Sequence, residues 1–151
     1  HEPSIRRANE LADKEGLTNV RFEVARAQDF PTRLDGAGYD FVAIFDALHD
    51  MGDARGAAKR VRETLKPDGS WMIVEPSASD RLEENLHPVG RVFYAFSATV
   101  CVPSALSQDG NDSLGAQAGP AALTKVASSG GFSRVRVAAQ NPFNVVLEAR
   151  I

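Results

Sequence analysis

The chain has 151 residues, 43% hydrophobic and 25% charged, an ordinary globular composition and about one domain at roughly 100 to 200 residues per domain. Seventeen Lys and Arg against twenty Asp and Glu leave a formal charge of −3, so no overall positive field draws the chain to nucleic acid or anionic lipid. The single Cys101 excludes an internal disulfide, and no apolar run approaches the ~20 residues of a membrane span, which together predict a soluble, cytoplasmic protein.

The chain opens without Met on His1-Glu2-Pro3-Ser4-Ile5, and this start leads to the expectation of a fragment or a trimmed chain. Pro3 and Glu2 suit the first turn of a helix, which Ile5, Ala8, Leu11 and Ala12 carry on one stripe to about Glu15, with Gly16 as the stop. Val20, Phe22 and Val24 then alternate with Arg21 and Glu23 and predict a half-buried strand. Tyr39 to Phe45 is nearly unbroken apolar sequence between Gly38 and Asp46, the pattern of a central strand. Asp53 caps a helix whose Ala54, Ala57, Ala58, Val61 and Leu65 share a face, and Lys66-Pro67-Asp68-Gly69 ends it. Ser70 to Glu75 returns as a buried strand closed by Pro76.

Val89 to Phe96 reads as helical, Gln108 to Gly119 as a mobile loop, and Pro120 to Ser129 as a short helix stopped by Gly130-Gly131. Two alternating strands follow, through Val135 and Val137 and then from Phe143 to Ala149. Their link, Gln140-Asn141-Pro142, is too short for a parallel crossover, so the pair must be antiparallel. This order predicts an α/β fold, a mostly parallel sheet with helices on both faces and one reversed strand from the hairpin. Ligands of such sheets sit at the carboxyl ends of the strands, which directs attention to Ala25–Pro31, Asp46–Asp53 and the residues from Glu75 onward.

Three stretches in this order, Val24 to Pro31, Tyr39 to Asp50 with its Asp46-Ala47-Leu48-His49-Asp50-Met51 segment, and Leu65 to Pro76, resemble the landmarks of class I S-adenosylmethionine-dependent methyltransferases. The terminal reversed hairpin is theirs as well. More narrowly, the start and the Asp-Ala-Leu-His-Asp-Met segment are similar to actinobacterial methyltransferase domains preceded by a winged-helix segment. The resemblance covers nearly the whole chain, residues 1–151, as the C-terminal part of a Rossmann-like catalytic domain. It implies S-adenosylmethionine as cofactor and a small-molecule acceptor. The family's Gly-rich loop and the acidic residue for the cofactor's ribose have no counterpart in this chain, so weak cofactor binding by the 151 residues alone is the expectation.

The resemblance places the cofactor's adenine beside Ala27 and Gln28, with Phe30 against the ring, and its methionine end near Asp46. Arg26 departs from the Asp of many relatives, which leaves Gln28 or Asp29 as the acceptor for the adenine amino group. Methyl transfer needs an aligned acceptor and removal of its proton, and a neutral His suits the second task. His49 is the candidate base, oriented by Asp46 or Asp50, with local helix capping as its alternative role. Glu75, His87 and Tyr94 are candidates for the substrate wall, although Glu75 can equally pair locally at a strand end and His87 can sit in the turn before Pro88. Three scattered His and one Cys show no metal-ligand spacing, so no metal is expected.

A different class of function, a non-catalytic methyltransferase-like module for dimerisation or ligand sensing, is compatible with the same residues. The resemblance also implies that two strands separating Val20–Val24 from Tyr39–Phe45 are missing here. Phe41, Ala43 and Phe45 are then expected to be covered either by an upstream segment or by a homodimer partner.

Overall fold

The computed structural model of the chain describes residues 1–32 and 36–151. Helix α1 (Glu2–Lys14) carries Pro in its first turn and ends where Gly16 adopts φ 67°, as the sequence predicts. Strand β1 (Tyr39–Phe45) leads through a 3-10 turn, Leu48–Asp50, to α2 (Ala54–Thr64). The Asp53 carboxylate accepts the Gly56 N–H at 2.8 Å and so satisfies one of the free donors at the start of α2. Strand β2 (Leu65–Pro76) begins directly where α2 stops and is longer than the predicted Ser70–Glu75. Helices α3 (Pro88–Phe96) and α4 (Val102–Leu106) are joined by a π turn at Ser97–Cys101. Helix α5 (Pro120–Ser129) precedes the hairpin of β3 (Arg134–Gln140) and β4 (Asn144–Arg150).

The sheet order is β1-β2-β4-β3. β1 runs parallel to β2, and β4 is antiparallel to both β2 and β3, so three strands share a direction and β4 is the reversed one. The α/β class and the terminal antiparallel hairpin are therefore those expected. On one face, Trp71, Ile73, Val145, Leu147 and Ala149 meet Ala54, Ala58 and Val61 of α2 and Leu123, Val126 and Ala127 of α5. Ala54, Ala57, Ala58 and Val61 of the predicted stripe are buried on α2, and its last member, Leu65, is buried as the first residue of β2; each large buried side chain such as Ile73 or Leu147 contributes about 1.5 to 3 kcal/mol.

Three expectations need correction. Val20–Val24 is not a strand: the segment has no ladder partner among the described residues, and Val20, Phe22 and Val24 are exposed. Alternation specifies an extended chain, but a strand exists only where a neighbour accepts its backbone bonds. Tyr39–Phe45 is an edge strand, not a central one, because its only partner in the described sheet is β2. Its outward face is open, with Phe41 53% and Phe45 64% exposed, so the helices cover one face of the sheet and not both. Finally, α3, the π turn and α4 form an unbroken 19-residue helical run, Pro88–Leu106, whose most apolar 18 residues have mean hydropathy 1.3, long and apolar enough by that measure alone to cross a membrane. Its apolar residues are interrupted by Arg91, Ser97, Thr99 and Ser104, so it is not an unbroken apolar run of about 20 residues. Several of them instead wall the cavity described next.

Candidate active site

At the end of β1 the chain turns sharply. Asp46 takes φ 51°, a left-handed conformation that Asp tolerates better than most residues, while its N–H donates to Val74 O at 2.7 Å. The turn folds residues 47–50 back over the end of β2. There Glu75, 1% exposed, receives them: its Oε1 accepts the N–H of Leu48 at 2.9 Å and of Ala47 at 3.3 Å, and its Oε2 pairs with His49 Nδ1. The alternation of β2 puts Glu75 on the same inward face as Trp71 and Ile73, which is why a carboxylate at a strand end becomes a buried partner.

His49 is 4% exposed, and its Nε2 lies 3.1 Å from Asp50 Oδ1. Burial opposes its charging, but the hydrogen bond and charge of Glu75, with the charges of Asp50 and Asp46, outweigh that cost and raise its pKa above the ordinary 6.5. A neutral imidazole bonded to a carboxylate through Nδ1–H keeps its lone pair on Nε2. His49 therefore presents a basic nitrogen held in one tautomer by Glu75, the dyad half of a triad arrangement.

This histidine lies on a cavity of about 430 Å³ walled by Asp46, Asp50, Phe93, Phe96, Cys101 and Phe143, among others. The π turn carries Cys101 to this wall, a position where such turns recur in functional sites. Burial and the neighbouring Asp50 carboxylate push the Cys101 thiol up to about 11, so it is neutral here. The expected mobile loop of residues 108–119 is irregular but tied down. Gln108 Nε2 donates to Asp50 O at 2.7 Å, Asp112 N–H to Gly52 O at 2.8 Å and Gly115 N–H to His49 O at 3.2 Å, so the loop clamps the His49 turn from behind.

A second cleft, of about 370 Å³, shares the 46–51 turn and is lined by Ala27, Phe30, Ala43, Ala47, Met51 and Trp71, among others. Phe30 is fixed there by Arg60, whose Nε donates to Phe30 O at 2.8 Å and whose guanidinium lies 5.6 Å from the ring centre. Trp71 Nε1 is a buried donor without an acceptor among the described residues. Gln28 donates from Nε2 to Asp53 O at 3.0 Å and borders an adjoining polar pocket. Asp29 accepts the Arg26 N–H at 3.1 Å and is spent on its own turn.

The sequence-predicted residues thus divide. His49 and Asp46 reach the larger cavity, and Ala27 and Phe30 the smaller one. Glu75, predicted on a substrate wall, does not line this cavity: it pairs with His49 Nδ1, the place expected of Asp46 or Asp50. His87 is exposed and caps α3 through Nδ1, which accepts the Gly90 N–H at 3.2 Å, and Tyr94 is not among the wall residues. Helix α3 turns Phe93 and Phe96 to the cavity instead. Cys101, absent from the predicted residues, and Asp50, predicted only as a partner of His49, complete the wall, and with His49 they form the cluster that spacing along the chain does not reveal.

Residues 1–114 match the family model described as a methyltransferase domain. The chain is 32% identical over 73 residues to an uncharacterized methyltransferase, YcgJ, of Bacillus subtilis (strain 168), an alignment that covers 48% of this chain and 28% of that protein. Among solved structures it is similar to mitomycin 7-O-methyltransferase MmcR, with TM-score 0.66 and 17% identity over 99% of this chain and 40% of that one. It is also similar to human N-acetylserotonin methyltransferase in complex with SAM, with TM-score 0.60 and 19% identity over 91% of this chain and 36% of that one. The chain therefore spans well under half the length of these relatives, and at such identities the structures speak for the fold alone. With three quarters of its length matched by the family, the chain belongs to the methyltransferase domain family, in the class I S-adenosylmethionine-dependent group that its segment order resembles.

Proposed function

We propose that this domain forms the acceptor side and the adenine side of an S-adenosylmethionine-dependent methyltransferase acting on a small-molecule nucleophile, with His49 as the base. The observation that carries the reading is the buried His49–Glu75 pair opening on a largely apolar cavity, one turn of chain away from a second cleft. S-adenosylmethionine, when bound, supplies a methyl group on a sulfonium. The smaller cleft suits its adenine: Ala27 and Ala47 leave room for a flat base, Phe30 offers a fixed ring, and Gln28 Oε1 is the amide atom left to accept a bond from the amino group. Phe93, Phe96 and Phe143 exclude water from the acceptor and hold an apolar body, which favours a compact organic substrate over a polymer.

His49 Nε2 is the atom that would take the proton the acceptor loses on methylation. The resulting imidazolium faces Asp50 on one side and Glu75 on the other, both of which favour its charge. The reading places the enzyme in the cytosol, where the lone Cys101 stays reduced.

The test is methyl transfer from labelled S-adenosylmethionine by the protein that carries this domain, over a panel of small hydroxyl, amine and carbon acceptors. Ala27→Phe, which fills the smaller cleft, is expected to weaken cofactor binding at least tenfold in calorimetry while the thermal midpoint stays within a few degrees. Unchanged affinity would remove the adenine from that cleft.

Assembly is part of the same proposal. The open edge of β1, with exposed Phe41 and Phe45 beside it, is a template for further pairing. The isolated 151-residue chain is expected to self-associate in light scattering, and Phe41→Lys to reduce the associated mass. A stable monomer at high concentration, with β1 amides protected from exchange, would show that the edge needs no partner.

A further inference from the structure

His49 stands in a second constellation that proton removal does not require. A ring nitrogen of His49, a carboxylate oxygen of Asp50 and Sγ of Cys101 all lie within 4.8 Å of one another, on the wall of the larger cavity. Imidazole nitrogen, carboxylate and thiolate are the donors that Zn²⁺ and similar cations take, and three protein ligands facing a cavity leave a fourth position open.

Two further features point to a ligand at this place. Glu75 binds the far nitrogen of His49, the carboxylate–histidine arrangement that sets the tautomer and aims the other nitrogen at a metal. Asp50 Oδ1 is buried without a hydrogen-bond partner among the described residues, although His49 Nε2 lies only 3.1 Å away. Two ligands held about 2.0 to 2.1 Å from a tetrahedral ion stand roughly 3.3 Å apart, so these two atoms already have the spacing of neighbouring ligands. Cys101 Sγ lies within 4.8 Å of both, and the π turn that carries it is the irregular part of its helix.

We propose that His49, Asp50 and Cys101 form a binding site for a thiophilic divalent cation, Zn²⁺ foremost, and that its occupancy switches off proton removal at His49. The second half rests on the proposed role of His49 as base: one lone pair on Nε2 cannot both take the acceptor's proton and hold an ion. Cation and acceptor therefore compete for the same cavity.

Co²⁺ titration of the purified chain, followed by absorption, tests the site without any activity. The expected result is saturable binding with the visible bands of tetrahedral cobalt and a near-ultraviolet thiolate charge-transfer band, displaced by Zn²⁺. Cys101→Ser should abolish the charge-transfer band, and Glu75→Gln should weaken binding about 10- to 100-fold, the usual effect of losing a metal ligand's partner. No band, or a band that survives Cys101→Ser, overturns the site; cobalt held at His1 would lack the band and counts against it too. In the methyl-transfer assay, Zn²⁺ should inhibit competitively with the acceptor, and Cys101→Ser should lose that inhibition relative to its own metal-free rate. Cobalt binding with turnover indifferent to Zn²⁺ would overturn the switch. Loss of the site with His49→Ala still inactive would leave the base standing, whereas an active His49→Ala enzyme with an intact band in the parent would remove the base and keep the metal site.

Discussion

Replacing His49 with alanine is expected to lower methyl-transfer turnover by about a hundred- to ten-thousand-fold, the usual weight of a general base, with S-adenosylmethionine affinity nearly unchanged. The separation follows from the geometry: His49 faces the larger cavity, whereas Ala27, Phe30 and Trp71 line the other. The parent enzyme should also show a rate that rises with pH through the His49 pKa, because the base works only when neutral. That inflection is expected above the ordinary 6.5, since Glu75, Asp50 and Asp46 together hold the proton more strongly than burial expels it. Single-turnover rates across pH would check both points. Unchanged turnover in His49→Ala would return this histidine to a structural role beneath the cavity.

Local chemistry made much of this architecture legible, and non-local pairing hid the remainder. Asp53 and the stripe from Ala54 to Val61 are readable because cap and periodicity lie within one segment, whereas Leu65, predicted on the same stripe, already opens β2; the three-residue link before Phe143 forces the final hairpin. Val20–Val24 and Tyr39–Phe45 show the limit. Each has the pattern of a strand, but only the second finds a neighbour, and no pattern within seven residues says whether that neighbour lies on one side or two.

The site divides in the same way. His49 stands in a segment whose family resemblance marks it, and it lines the larger cavity. The role of Glu75 depends on its facing inward in register with Val145, a property of the assembled sheet. Cys101 is legible least of all. It is distant in sequence from His49 and Asp50, and the π turn that brings it to them follows a stretch of helix with ordinary residues, with Pro103, unable to donate a backbone bond, just beyond.

Glu75 carries the other large expected effect, and two substitutions separate its duties. Glu75→Ala removes the acceptor from the buried Leu48 N–H and the part-buried Ala47 N–H and leaves His49 Nδ1 without its partner. Breaking a buried pair from one side costs about 3 to 5 kcal/mol, which for a chain of this size corresponds to a fall of roughly 10 °C in the thermal midpoint. Glu75→Gln keeps an oxygen for Ala47 and Leu48 and should cost less. Its amide nitrogen then faces His49 Nδ1, which must accept rather than donate, so the imidazole proton moves to Nε2 and the lone pair turns away from the cavity. Turnover in Glu75→Gln is therefore expected to fall steeply, toward the ~10⁴-fold seen when an amide replaces the carboxylate of a catalytic triad, in a protein that still folds. The pH dependence has a definite sign. A histidine whose pKa is raised by folding adds stability below its unfolded value near 6.5, and that contribution is lost as pH rises through the folded value. The stability gap between the parent and Glu75→Gln should accordingly be widest in mild acid and narrow above the His49 inflection, as denaturant midpoints across pH would record. A gap that is constant with pH, together with a folded and fully active Glu75→Gln, would mean that Glu75 merely satisfies the backbone of the turn and does not set the state of His49.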